Sequence, residues 1–189
     1  MEQIQIIIGG KELTFKVEIE YDADHGAPWE NEDGHGPVSG WTTRDKRPGE
    51  LVLSSHGRNA RIYYDFAEAC RIALADCWGI PEARLAGWTE RAGQAPTKRQ
   101  IAAAAAMTDY DHLRRWCADE WQYVGVIVTL LDDEGEETEV SDSLWGIEDS
   151  DTDYLEEQAW LIADELASGY GTRWGEQPRQ TFGYLEEAR

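Results

Sequence analysis

Residues 4–21 read IQIIIGGKELTFKVEIEY, and this stretch decides the class of fold. Ile4 to Ile8 is a short apolar run, and Gly9-Gly10 supplies two residues free to take positive φ, as a two-residue hairpin turn requires. From Glu12 to Tyr21 the chain alternates. Leu13, Phe15, Val17 and Ile19 share one face, and Lys16, Glu18 and Glu20 share the other. A period of two, closed by a tight turn, predicts an antiparallel ribbon with one face buried.

Working outward, the same signals recur twice. Leu51–Ser54 and Ala60–Tyr64 flank the turn His56-Gly57-Arg58-Asn59, and Trp121–Leu131 pairs with Glu137–Trp145 across Asp133-Glu134-Gly135. Asp65 is placed to cap a helix running to about Trp78, with Gly79 as its stop and Phe66, Ala69, Cys70, Ala73, Leu74 and Cys77 inward. Thr97-Lys98-Arg99-Gln100 is a capping-box pattern. The helix it opens carries Ile101, Ala105, Leu113, Trp116 and Cys117 on one face, across a break near Met107-Thr108. A last helix spans about Asp153 to Ser168, with Leu155, Ala159, Ile162 and Leu166 inward and Gly169 and Gly171 as terminators; beyond Thr172 no period is visible. The order predicts an α+β fold, antiparallel β-hairpins forming a sheet packed by about three helices. The expected organisation is a single compact domain over 1–189 with a long loop at 22–50, or two parts divided as 1–94 and 95–189.

The chain has 189 residues with 38 Asp+Glu against 17 Lys+Arg, a net charge of −21. Such an excess works against direct binding to nucleic acid or an anionic membrane and favours a basic partner. With 41% hydrophobic and 11% aromatic residues the chain can still bury a core. No apolar run is long enough for a membrane span, and Met1-Glu2-Gln3 lacks the basic start of a signal peptide. Cys70, Cys77 and Cys117 are odd in number and form no CxxC, which predicts a reducing, cytoplasmic setting.

The charge is unevenly spread. Residues 1–37 carry a net −7, residues 38–117 a net +3, and residues 118–189 a net −17. The window 132–157 holds 13 acids in 26 residues and no base. Asp132, Asp133, Glu134, Glu136, Glu137, Glu139 and Asp142 line a hairpin, and Glu148, Asp149, Asp151, Asp153, Glu156 and Glu157 lead into the last helix. Acids in a first helical turn suit the helix dipole, by about 0.3–1 kcal/mol each. That accounts for Asp151, Asp153 and Glu156 but not for a hairpin without one compensating base, where facing like charges are destabilising. Salt adaptation would suit the scarcity of Lys, 4 against 13 Arg, but not the basic middle segment. The alternative is a surface resembling a phosphate backbone, whose duplex form carries a charge every ~1.7 Å. These thirteen acids are therefore the expected partner-binding residues.

Other constellations are weaker. Asp22, Asp24, His25, Glu30, Glu32, Asp33 and His35 crowd one loop and could hold a divalent cation. Their spacing matches no EF-hand or zinc pattern, and no metal or cofactor is expected. No P-loop, GxGxxG, HExxH or nucleophile elbow is present, and the cysteines fall on apolar helix faces, so no catalytic residue is assigned. Pro96, Thr97, Gln100, Ile101 and Ala102 resemble the start of the helix-turn-helix of sigma-factor-like and other bacterial regulators. In that reading Lys98, Arg99, Arg114 and Arg115 would meet phosphates. The segment lacks the usual turn glycine, places Asp109 and Asp111 at the start of the reading helix, and reads better as a helical hairpin packing on the sheet.

The segments WENEDGHGPVSGWTTRDKRPGE (29–50), YYDFAEACRIALADCWG (63–79), GQAPTKRQIAAAAAMTDYDHLRRWCADEW (93–121), VGVIVTLLDDEGEETEVSDSLWGIED (124–149) and DYLEEQAWLIADELA (153–167) together resemble a family of uncharacterised small acidic bacteriophage and prophage proteins. These are similar in kind to anti-CRISPR and antirestriction inhibitors. The resemblance implies a cytoplasmic inhibitor in a bacterial host cell, acting without catalysis. Its acidic surface would occupy the basic groove of a host nucleic-acid-binding complex. The alternatives are a helix-turn-helix DNA-binding regulator using 95–117 and a metal-dependent enzyme using the 22–35 loop.

Overall fold

The computed structural model describes residues 3–172 and 180–181, and the chain folds as α+β with antiparallel strands. It divides into two compact units, Met1–His25 with Gln122–Arg189, and Gly26–Trp121. A division at 94/95 would fall inside the second unit.

The first unit is a five-stranded antiparallel sheet with one helix. Strands β1 (Gln3–Ile8) and β2 (Lys11–Tyr21) form the expected hairpin, with Gly9 and Gly10 at φ 61° and 80°. Positive φ at both turn positions matches the right-handed twist of the strands, and glycine takes it without a Cβ clash. Strands β5 (Tyr123–Leu131) and β6 (Glu137–Glu148) form the second hairpin, and β2 pairs with β5, giving the order β6-β5-β2-β1-β7, where β7 is Gln180–Thr181. The register sets Phe15 opposite Leu130, Val17 opposite Val128 and Ile19 opposite Val126, so apolar residues of both hairpins share a face.

Helix α5 (Thr152–Thr172) covers that face. Its deepest residues are Leu155, Ala159, Ala163 and Ala167, while Ile162 and Leu166 pack at the flank. Three alanines at four-residue spacing let the helix axis approach the sheet, and larger side chains fill the margins. The inward stripe expected from Ile162 and Leu166 is therefore rotated toward the alanines. The helix also runs through Gly169 rather than stopping there.

The second unit holds the two-stranded sheet β3 (Glu50–His56) and β4 (Ala60–Asp65), with α1 (Pro28–Asn31), α2 (Phe66–Ala75), α3 (Glu82–Ala92) and α4 (Lys98–Trp116). Leu53, Ile62, Tyr64, Ala69, Ala106 and Leu113 form its core. Asp65 caps α2 by accepting from the Glu68 amide, as expected. The helix ends at Ala75, three residues short of the expected Trp78, and Cys77 follows at φ 57°, exposed. Helix α3 is not expected from the sequence, because Gly87 lowers the local helix propensity and none of its residues is buried. The long 22–50 loop is anchored rather than free. Its residues 37–42 run antiparallel to β4, through bridges Val38–Tyr64 and Thr42–Arg61 and the bond from Tyr63 N to Ser39 Oγ.

Residues 98–116 are one continuous helix of 19 residues. Thr97 Oγ1 accepts from the Gln100 amide and Gln100 Oε1 accepts from the Thr97 amide, so the capping box is as expected. The break near Met107-Thr108 is absent: the alanine run has high helix propensity, and the Thr108 hydroxyl is accommodated within the helix by donating to Ala104 O. Residues 95–117 thus contain neither a helix-turn-helix nor a helical hairpin.

Candidate partner-binding surface

The thirteen acids of 132–157 occupy one connected path at the edge of the five-stranded sheet. It runs from the β5–β6 turn along the edge strand β6, round a second turn, and into the first turns of α5. At a rise of about 3.3 Å per residue, the twelve residues of β6 separate the two turns by roughly 35 Å before bulging. Ten of the thirteen acids are exposed; Glu148, Asp149 and Glu156 are half-buried.

Local structure accounts for some of them. Asp132 accepts from the Glu134 and Glu136 amides and closes the turn with Gly135 at φ 85°. Asp149 exchanges bonds with the Gln122 backbone, and Asp151 accepts from the Tyr154 amide at the start of α5. Glu137 pairs with Lys16 at 2.5 Å, and a second carboxylate, Glu18, lies 2.7 Å from the same ammonium. Held between two carboxylates, the Lys16 ammonium is shifted upward. Asp133, Glu134, Glu136, Glu139, Asp153 and Glu157 stand outside these arrangements as exposed carboxylates on the strip, and Glu156 does so half-buried.

The faces of β6 differ. Glu137, Ser141, Ser143 and Glu148 lie opposite Leu131, Thr129, Ile127 and Tyr123, on the face away from α5. Asp142, Leu144 and Ile147 lie opposite Val128, Val126 and Val124, on the α5 face. Two register shifts, at Val124/Val126 and Thr129/Leu131, add residues to β6 and lengthen its exposed border.

The basic middle segment does not assemble a patch on α4. Lys98 and Arg99 stand at its start and Arg114 and Arg115 at its end, about 24 Å apart at 1.5 Å per residue. Arg114 and Arg115 face Asp111 and Glu120. The acids and histidines of 22–35 fall in two units. Asp22 and His25 belong to the first unit, where Asp22 accepts from the Asp24, His25 and Gly146 amides and the His25 ring packs 3.7 Å from that of Tyr123. Glu32 and His35 belong to the second. Among the described residues no His/Cys/Asp/Glu group has metal-binding geometry.

One polar cluster in the second unit escaped the sequence reading. Asp109, on α4, accepts from His35 Nδ1 at 2.6 Å, the Gly36 amide at 2.7 Å and the Tyr64 hydroxyl at 2.6 Å. His35 Nε2 faces Glu32 at 3.7 Å. The hydrogen bond to Asp109, opposed by burial, shifts the His35 imidazole upward; burial first and then Asp109 do the same to the Tyr64 phenol. Gly36 is obligatory here, since a Cβ would lie 2.4 Å from the Tyr64 hydroxyl oxygen and 2.6 Å from Ala69 Cβ. The partners of Asp109 lie 74, 73 and 45 residues from it in sequence, with no motif to link them. The same unit holds Glu50 against Arg44 in a two-pronged pair at 2.6 and 2.7 Å, with the Arg47 amide as third donor, which brings the Glu50 carboxyl down to about 2. Burial raises the thiols of Cys70 and Cys117, the latter to about 11, away from nucleophilic character.

Comparison with protein-family models, curated proteins and solved structures finds no match to this chain.

Proposed function

We propose that the chain is a non-catalytic binding protein that docks its acidic sheet edge into the basic nucleic-acid groove of a partner. In biological terms this is a phage-encoded inhibitor of a host defence complex, competing with DNA or guide RNA. One observation carries the reading: the acids of 132–157 follow a single exposed border with no base in the window. Local structure uses Asp132, Asp149 and Asp151 as caps and Glu137 in the Lys16 pair; it does not account for the remaining acids, whose close like charges repel. A carboxylate row of this length meets a groove built for phosphates by long-range attraction, with steep salt dependence.

The test reverses Asp133, Glu134, Glu136 and Glu139 to Lys, which leaves the turn cap and the Lys16 pair in place. Immobilised wild type should retain nucleic-acid-binding proteins from a bacterial lysate at low salt and release them at high salt. The retained protein should lose labelled duplex DNA when free wild-type chain is added. The reversed variant should retain at least a hundredfold less. Equal retention by both proteins, or retardation of DNA by the wild-type chain alone in a gel shift, would overturn the reading.

A further inference from the structure

Within the first unit α5 packs on one face of the sheet, and among the described residues of that unit no element packs on the other. On this second face Glu20 is the register partner of Gly125, and the Trp145 indole lies over Gly125. A Cβ at Gly125 would come within 2.4 Å of the indole Cε3 and 2.5 Å of Cδ2, so the ring occupies the space a side chain would take. The residue nevertheless keeps 44% of its surface exposed. Nε1 donates to Ser143 Oγ at 3.0 Å, which fixes the ring's rotation. Glu18 stands one row along, opposite Ile127, which in turn pairs with Ser143.

Covering a glycine gap in a pleated surface explains the inner side of the indole. It does not explain a half-exposed ring over β5 with the Glu20 carboxylate on the next strand, about 4.8 Å away, and Glu18, which holds Lys16, beside it on that same strand. A planar guanidinium satisfies both at once, stacking on the indole and donating to a carboxylate; a lysine ammonium has no plane to stack. A second copy of this chain is a poor occupant, since it would bring another −21 against the same carboxylates. A shallow concavity of about 700 Å³, lined by Gln3, Lys16, Glu18, Leu131, Glu136 and Glu137, gives an extended segment room on the sheet toward the β5–β6 turn.

We propose that this face binds an arginine side chain of an extended basic segment in the partner, its guanidinium stacked on Trp145 and hydrogen-bonded to Glu20, with Glu18 as the second acceptor. The proposal rests on the partner being basic, and specifies arginine rather than positive charge.

The full chain is titrated with labelled oligoarginine and oligolysine peptides of equal length at one ionic strength, and anisotropy is read. Oligoarginine should bind about fivefold tighter. Trp145→Leu, which keeps an apolar cover over Gly125, should bring the ratio to about one; Trp145→Phe should retain part of it, and Glu20→Gln should weaken oligoarginine severalfold. The variant reversed at Asp133, Glu134, Glu136 and Glu139 should weaken both peptides while the ratio persists. Equal binding of the two peptides to wild type, or an unchanged ratio in both Trp145→Leu and Glu20→Gln, overturns the arginine site. If both peptides still lose binding on charge reversal, the acidic-surface reading stands without it. If neither peptide binds wild type, both readings are overturned.

Discussion

Asp109 holds three donors from two places in the chain, and its removal leaves His35 and the Gly36 amide short of a partner in a part-buried setting, while the Tyr64 hydroxyl keeps only Ala106 O at 3.1 Å. Asp109→Ala should therefore destabilise the second unit by about 3 kcal/mol, measured by denaturant unfolding. Gly36→Ala should cost roughly 1–3 kcal/mol for a different reason, overpacking against Tyr64 and Ala69. The two ion pairs respond to pH with opposite signs. The His35 imidazole is raised above its usual 6.5, so its contribution is complete below that value and fades as pH rises through the raised one. Wild type should lose stability relative to His35→Gln as pH rises from below 6.5 through the raised value. The Glu50 carboxyl is lowered from 4.5 to about 2, so its contribution is present above 4.5 and lost as pH falls toward 2. Wild type should accordingly lose its margin over Glu50→Gln in acid; a margin that stayed constant would exclude the Arg44 pair as its source.

At the scale of elements, the hairpins and caps were legible because their causes are local. Gly9-Gly10, the alternation of 12–21, the Asp65 cap and the Thr97–Gln100 box each lie within a few residues, and each is where the sequence put it. Thr97→Ala should lower the stability of the unit containing α4 by about 1 kcal/mol, with the thermal midpoint as the readout. Helix lengths and facing stripes were less legible. Helix α2 ends before Trp78 and α5 passes Gly169, since stop signals yield to whatever packing offers. The inward stripe of α5 runs through Ala163 and Ala167, because close approach to a sheet rewards small residues over the most apolar ones. The acids of the candidate surface were all visible in sequence. Their arrangement on one edge strand, with Glu137 on one face and Asp142 on the other, depended on the β5–β6 register and its two shifts.

The charge of the whole molecule makes a paired prediction. Salt screens repulsion among the acids, so the thermal midpoint of the free chain should rise between about 0.02 and 0.5 M NaCl. Partner affinity should fall over the same range. The variant reversed at Asp133, Glu134, Glu136 and Glu139 should show a smaller rise, and calorimetry at the two salt concentrations separates the effects. The amino-acid sequence alone determined the antiparallel α+β class, the turns, the caps and the amount and location of negative charge, because these follow from backbone sterics and neighbours within one or two turns. Only the tertiary structure decided that β2 pairs with β5 across residues 26–121, that Asp109 meets His35 and Tyr64, and that Trp145 lies over Gly125 beside Glu20. Those contacts join residues far apart in the chain, and their energies exist only once burial has brought the partners together.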